Sequence, residues 1–177
     1  QYPLIECITG ILFVLIWLKH GSLGAALAGW VFAALLVTIS VIDYYHLIIP
    51  NRLILTGLGL GVPLLLIQSG ESLILGVLSM LAAGLFMLII ALISRGGMGG
   101  GDVKLAAMLG LYLGPQNAGV ALFLAFMIAG TVALFLLVAG IKGRKDAIPF
   151  GPFLALGAII AELTGDHLLA WYSGFWV

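Results

Sequence analysis

The sequence has few charged residues. Of its 177 residues only seven are acidic and seven are basic, and the formal net charge is zero. A soluble domain carries about a quarter of its residues as charged side chains, whereas the charged fraction here is 8% and the mean hydropathy is +1.29. This composition excludes a soluble protein. The apolar composition predicts membrane lipid as a partner, and because the net charge is zero we expect no nucleic acid.

Cysteine and histidine are also scarce. Cys7 is the single cysteine of the sequence, which excludes an internal disulfide and any multi-cysteine zinc site. His20, His46 and His167 are scattered, without HExxH or other ligand spacing, so we predict no metal site. The length allows one transmembrane domain over residues 1–177 and no second folded domain. Since the sequence starts with Gln1 rather than Met, we expect a truncated or processed product.

What the sequence does contain is a series of long apolar runs. Several approach the roughly 20 residues that a helix needs to cross a membrane, so we predict an all-α, polytopic membrane bundle. The fifth run is short: about 12 helical residues rise only about 18 Å, so it is either partly re-entrant or lies in a locally thinned membrane. The runs number about seven, at roughly 4–18, 22–42, 53–67, 73–93, 103–115, 118–140 and 148–165.

Basic residues indicate how the bundle is oriented. If all seven runs cross, the breaks after the second, fourth and sixth runs share one face, and the other breaks carry Lys19 alone. By the positive-inside rule the first face is cytoplasmic, and Asp43 and Asp102 both lie on it. Its basic residues are Arg52, Arg95, Lys104, Lys142, Arg144 and Lys145.

Asp43 and Asp102 are the candidate catalytic residues, because carboxylates at membrane level are costly and usually functional. Two carboxylates that share a proton can activate water and protonate a peptide carbonyl, which is the chemistry of aspartyl proteolysis. The helix dipole favours ionisation at a helix start and disfavours it at a helix end. We therefore predict that Asp102 is the ionised base and Asp43 the protonated acid.

The glycines before Asp102 form the second part of the candidate site. Gly99, Gly100 and Gly101 disfavour a helix and expose backbone, so a flexible loop there would let an extended peptide lie against the carboxylates. Lys104 could steady the charge of the dyad or contact substrate, or could be an interfacial lysine that snorkels.

Other interpretations of these residues stay open. Asp102 could simply cap the helix that starts at Val103, and Asp43 could pair with Arg52. The two carboxylates could also bind a cation or proton in a small transporter, or cut within a span in a broader intramembrane aspartyl protease. A structural assembly factor would need neither carboxylate. Their position near one face, and the lack of a convincing internal repeat, favour proteolysis over transport.

Four stretches of the chain resemble the type IV prepilin peptidases, which are Gly-x-Gly-Asp membrane aspartyl proteases. Residues 41–51 look like the first catalytic segment of that family, an Asp followed by an apolar stretch and Pro-Asn. Residues 99–105 match its Gly-x-Gly-Asp motif followed by Val-Lys-Leu, and residues 2–6 and 148–155 match two further stretches typical of bacterial members. Tyr45 stands where relatives often have a second Asp.

The resemblance implies a substrate, a location and roles for these residues. It implies cleavage, just after a Gly, of the basic leader of type IV prepilins and of type II secretion pseudopilins. The site would face the cytoplasm in the bacterial inner membrane, with Asp43 and Asp102 as the catalytic pair. Glu6 matches the family's Tyr-Pro-Leu-x-Glu and is a candidate to receive the basic leader, although an interfacial role is also open.

The resemblance leaves a second activity open. Many members also N-methylate the new pilin N-terminus with S-adenosylmethionine, whereas we expect proteolysis to need no cofactor. Many bacterial members carry an upstream cytoplasmic segment with two Cys-x-x-Cys pairs, thought to bind zinc. This sequence starts just past the place where that segment would end, so methylation remains undecided here.

Overall fold

The computed structural model describes residues 2–68, 70–94, 97–143 and 146–174, and every regular element in them is an α-helix. Arg95, Arg144 and Lys145, which belong to the basic set above, lie outside the described residues. The helices are α1 (Tyr2–His20), α2 (Leu23–His46), α3 (Asn51–Gln68), α4 (Gly70–Ile93), α5 (Gly100–Val138) and α6 (Gly151–Ser173).

All six described helices are long and apolar enough to cross a membrane. This confirms the predicted all-α, polytopic bundle. The helix named α5 is exceptional, because its 39 residues would extend about 58 Å, roughly twice the hydrocarbon thickness. It breaks at Gly114, which has φ 70° and ψ 176° and is followed by Pro115. We call residues 100–113 and 115–138 the first and second segments of α5.

The first segment of α5 runs antiparallel to α4. Gly84 of α4 packs against Ala107, and Ser79, earlier in α4, packs against Gly110, later in α5. A side chain at Gly110 would lie 2.5 Å from the Ser79 carbonyl oxygen, so the two backbones are in contact there. This close approach requires glycine and fixes the short fifth span against its neighbour.

The second segment of α5 runs in the opposite direction, parallel to α4. Ser79 shares a cavity wall with Ala118, and Phe86, further along α4, contacts Phe126 with ring centroids 6.4 Å apart. The two segments therefore form a helical hairpin that turns at Gly114. They correspond to the fifth and sixth predicted spans, so the short run crosses the bundle.

Polar contacts identify the end of the bundle that holds this turn. Asn117, three residues after Gly114, donates to Asp166 of α6, and Lys19 at the end of α1 forms a 3.2 Å salt bridge with Asp166. His20 contacts Glu162 at 2.7 Å. These residues hold α1, α5 and α6 together at the end opposite Asp43 and Asp102.

The core lies where α2, α5 and α6 meet, which fixes these three helices against one another. Their fully buried side chains form one cluster, and small residues on α6 let the backbones approach closely. The C-terminal end of α2 and the N-terminal ends of α5 and α6 are thereby held next to one another. The largest members of the cluster on these helices are Phe32, Leu36, Ile39, Leu105, Met108, Leu109 and Leu154.

Candidate active site

Three helix ends converge at one end of the bundle. Asp43 lies in the last turn of α2, which stops because Leu47 adopts a left-handed conformation with φ 54°. The Leu47 amide donates to the Asp43 carbonyl at 2.9 Å and closes that turn. Asp102 lies in the first turn of α5, and Gly151 begins α6 beside them. Asp43 and Asp102, which are 59 positions apart in sequence (102 − 43), thus lie at the same end of the bundle.

The structure brings the two aspartates together in a buried environment. Asp43 is 5% exposed and Asp102 is 9% exposed. Both line the same two cavities, of about 230 Å³ and 290 Å³, together with Leu47 and Gly99. Neither aspartate forms a salt bridge within the described part of the chain, so Arg52 does not pair with Asp43 there. The geometry therefore presents two carboxylates to a common space.

Asp102 is fixed by its own helix. The amide of Gly99 donates to Asp102 Oδ2 at 3.1 Å, and the amide of Asp102 donates back to the Gly99 carbonyl at 3.1 Å. Gly99 itself is extended, with φ −77° and ψ 148°. Asp102 therefore closes the N-terminus of α5, but from the third helical position: α5 begins at Gly100, not at Val103 as predicted, and Gly99 is the capping residue. That role occupies one oxygen and leaves the carboxylate lining both cavities.

Asp43 is fixed by a different helix, which the sequence analysis missed. The amide of Gly151, at the first position of α6, donates to Asp43 Oδ2 at 2.9 Å in a buried hydrogen bond. The matched stretch at 148–155 was the available signal, although nothing in it named a partner. Both carboxylates thus meet a helix N-terminus, so the predicted division into base Asp102 and acid Asp43 loses its dipole argument and stays a prediction.

Two non-helical segments border the larger cavity. They are residues 97–99, before α5, and residues 147–150, before α6, and both line this cavity together with Asp43 and Asp102. The Gly99 amide and carbonyl and the Phe150 carbonyl are engaged at the starts of the two helices. Among the other backbone groups of these non-helical segments, those without a partner in the chain are the ones that could pair with an extended peptide.

The other predicted site residues have distinct surroundings. Gly101 packs on Ile49, where an added Cβ would lie 2.9 Å from Ile49 Cβ, so the two matched catalytic segments are in direct contact. The Lys104 ammonium donates to Asn51 Oδ1 at 2.9 Å, which ties the start of α5 to the start of α3. Lys104 therefore joins the two segments and does not line either cavity of the dyad.

Neither Gly100 nor Glu6 lines either cavity of the dyad. Gly100 and Gly101 belong to the first turn of α5, so the flexible loop predicted over Gly99, Gly100 and Gly101 is wrong for these two residues, because the capping contacts between Gly99 and Asp102 start the helix there. Open space lies where a side chain of Gly100 would be. Glu6 is exposed near the start of α1, at the same end of the bundle as the dyad, but lines neither cavity. Substrate contacts by these two residues remain predictions.

This arrangement can carry out acid–base chemistry on a peptide bond. Two buried carboxylates in one small space share a proton more readily than they both ionise. A water between them can lose a proton to one carboxylate while the other protonates a carbonyl oxygen. Leu47 and Ile49 add apolar surface to the wall of the smaller cavity.

More than half of the chain resembles proteins of one known family. The type IV leader peptidase family matches residues 30–135, which include both aspartates. No solved structure matches the chain.

Named relatives extend the match to nearly the whole sequence. The chain is 33% identical over 172 residues to the prepilin leader peptidase/N-methyltransferase of Bacillus subtilis, covering 97% of this chain and 69% of that protein. It is also 33% identical to the proteins of that name from Aeromonas hydrophila and Legionella pneumophila, of which it covers 61% and 63%. This chain belongs to the type IV leader peptidase family.

Proposed function

We propose that Asp43 and Asp102 are the catalytic pair of an aspartyl endopeptidase that removes the leader from prepilins and pseudopilins. The observation that carries the proposal is the burial of both carboxylates against the same two cavities, at 5% and 9% exposure. Neither a transporter nor an assembly factor needs a paired dyad beside a peptide-sized cleft. The matched family and its named relatives support peptidase chemistry rather than those alternatives.

In the proposed reaction one aspartate is ionised and the other is protonated. The ionised carboxylate takes a proton from water as the water oxygen attacks the scissile carbonyl carbon, while the other carboxyl gives its proton to the carbonyl oxygen. The tetrahedral intermediate then collapses, the C–N bond breaks, and the leaving nitrogen receives the proton taken from water. As the carbonyl re-forms, one hydroxyl of the intermediate returns its proton to the carboxylate that had acted as the acid, so a carboxyl product is left and the dyad regains its starting protonation state.

The cleft geometry supports an extended peptide as the substrate. Residues 97–99 and 147–150 line the larger cavity together with both aspartates, so a leader in extended conformation can lie along non-helical backbone there. A glycine before the scissile bond suits such a cleft, because it brings no side chain into the approach of carbonyl and carboxylate. Contacts of Gly99, Gly100 and Gly101 with substrate belong to this proposal, as do those of Lys104 and Glu6.

The proposed location is the cytoplasmic side of the bacterial inner membrane. The dyad lies at the end of the bundle where α2 ends and α5 begins, which the positive-inside rule assigns to the cytoplasm. A basic prepilin leader that stays in the cytoplasm would reach this end, while the apolar helix of the substrate enters the membrane.

N-methylation is a second activity, separate from cleavage, that can be measured on the same product. The relatives carry N-methyltransferase in their names, and S-adenosylmethionine would supply the methyl group as a consumed substrate. We assign no residue of this chain to it. Mass spectrometry of the cleaved pilin N-terminus, with and without the methyl donor, tests that activity separately from cleavage.

The first test of the proposal is cleavage by purified protein in detergent. Incubation with a prepilin should give a product cut after the leader glycine. The variants Asp43→Asn and Asp102→Asn should each lose at least about 10²–10⁴ in rate, because each removes a proton-transfer partner. Product is measured by gel shift and by the mass of the new N-terminus.

A matched control separates catalysis from folding. Gly130→Ala lies in a helix with open space around the added Cβ, and should cleave at the parent rate. Equal cleavage by the parent and both asparagine variants would rule out the dyad. Cleavage by none of the folded proteins would instead favour the transporter interpretation.

A further inference from the structure

The start of α6 has an unusual set of hydrogen-bond groups. An α-helix leaves its first four amides without helix partners. In α6, Pro152 has no amide proton, and the amides of Phe153 and Leu154 both donate to the Phe150 carbonyl, at 3.0 Å and 3.1 Å. Phe150 precedes the helix and has no side-chain acceptor. One amide of the first turn, that of Gly151, is left to be satisfied from elsewhere.

Asp43 supplies that acceptor from 108 residues away (151 − 43). The hydrogen bond from the Gly151 amide to Asp43 Oδ2 is 2.9 Å long and buried. A residue larger than glycine would have to displace the Asp43 side chain, because an added Cβ at position 151 would lie 2.7 Å from that oxygen and 3.2 Å from Asp43 Cβ. The contact therefore depends on both the amide and the missing side chain.

We propose that Gly151 is a positioning residue of the dyad, and that α6 is a third element of the active site beside the two aspartate segments. The inference rests on the proposed peptidase function. Gly151 touches neither substrate nor water in this role; it holds one Asp43 oxygen so that the other faces the cavity shared with Asp102. This positioning role also gives a reason for the matched stretch at 148–155, which contains Gly151, beside the two aspartate segments.

The kinetic test is Gly151→Ala in the full chain, compared with Gly130→Ala. Displacement of a reacting group by about 1 Å can cost about 10²-fold in rate. We therefore expect kcat of Gly151→Ala to fall by at least about tenfold and by up to about 10²-fold, with KM unchanged. A loss of a transition-state interaction lowers kcat and kcat/KM together, whereas a weaker substrate site raises KM.

Two outcomes would overturn the inference. One is a folded Gly151→Ala with the kcat of the parent. The other is an increase in KM with kcat retained, which would assign Gly151 to substrate binding. If the parent protein itself does not cleave, the proposed function is rejected. That failure is distinct from failure of the inference, because the parent is assayed before any variant is compared with it.

Hydrogen exchange keeps the geometry falsifiable if Gly151→Ala does not fold, because it leaves glycine at position 151. The Gly151 amide donates to Asp43 Oδ2 in a buried hydrogen bond, so it should exchange slowly with deuterium in the parent. Asp43→Ala removes the acceptor and should speed exchange of the Gly151 amide by at least about fivefold, while the amide of Gly130 should exchange at the parent rate. Equal exchange of the Gly151 amide in the parent and in Asp43→Ala would refute the contact.

Discussion

At the scale of single residues, each catalytic aspartate of the proposed dyad also satisfies a helix N-terminus. Asp102 accepts from the Gly99 amide of its own helix, and Asp43 accepts from the Gly151 amide of another. A carboxylate held in this way has one oxygen committed to structure and one available to chemistry. The structural interpretation of Asp102 as a cap and its catalytic interpretation are therefore compatible.

This double role predicts a difference between two substitutions of Asp43. Asp43→Asn keeps a side-chain oxygen that can accept from Gly151, whereas Asp43→Ala leaves that buried amide without a partner. We expect Asp43→Ala to lower the free energy of unfolding by about 1–3 kcal/mol relative to Asp43→Asn. Unfolding in mixed detergent–SDS micelles, followed by circular dichroism, measures the difference. Equal stability of the two variants would mean that the hydrogen bond contributes nothing to folding.

At the scale of helices, α5 is the element that departs from a simple span. Its first segment is about 21 Å long, too short for a full hydrocarbon crossing, yet it packs along α4 and ends in a tight turn. The break at Gly114 lets the second segment return antiparallel to the first. Asp102, at the start of the first segment, is buried at 9% exposure.

The turn predicts a strong dependence on glycine at position 114. Its φ of 70° with ψ of 176° belongs to a region that is open essentially to glycine alone. Gly114→Ala should therefore cost about 1–3 kcal/mol in the free energy of unfolding. Gly119→Ala is the matched control, since its added Cβ meets nothing within 4 Å, and it should be neutral or stabilising by up to about 1 kcal/mol. Equal effects in the same unfolding assay would contradict the strain argument.

At the scale of the whole molecule, the bundle has two chemically different ends. One end holds the dyad, the two non-helical segments and the start of α6. The other holds the contacts of Lys19, His20 and Asn117 with Glu162 and Asp166 of α6. The contacts at this second end tie α1, α5 and α6 together. They thereby help to hold the N-terminal ends of α5 and α6 next to the C-terminal end of α2, where the dyad lies.

The assigned orientation predicts opposite labelling of the two ends. Ser94 follows α4 at the dyad end and Gln116 follows the turn of α5 at the other end, and both are exposed. In a Cys7→Ser background, Gln116→Cys should react with a membrane-impermeant maleimide in spheroplasts. Ser94→Cys should react only in inverted vesicles. The reverse pattern would place the dyad outside and contradict the cytoplasmic assignment.

The sequence alone determined the class of the protein and the identity of its candidate catalytic residues. A charged fraction of 8% and long apolar runs leave a helical membrane bundle as the available fold. Isolated carboxylates at the edges of such runs are conspicuous, because their cost in a membrane is high. The break after the fifth run was also readable, since Gly114 and Pro115 interrupt the apolar pattern.

Only the tertiary structure decided how the carboxylates are held and what surrounds them. The hydrogen bond between Gly151 and Asp43 joins residues 108 positions apart, and no local pattern specifies which buried amide a distant side chain will satisfy. The contact of Gly101 with Ile49 likewise depends on the packing of α5 against the segment after α2. Periodicity and propensity act over a few residues, whereas the dyad geometry follows from the packing of α2, α5 and α6 in one core.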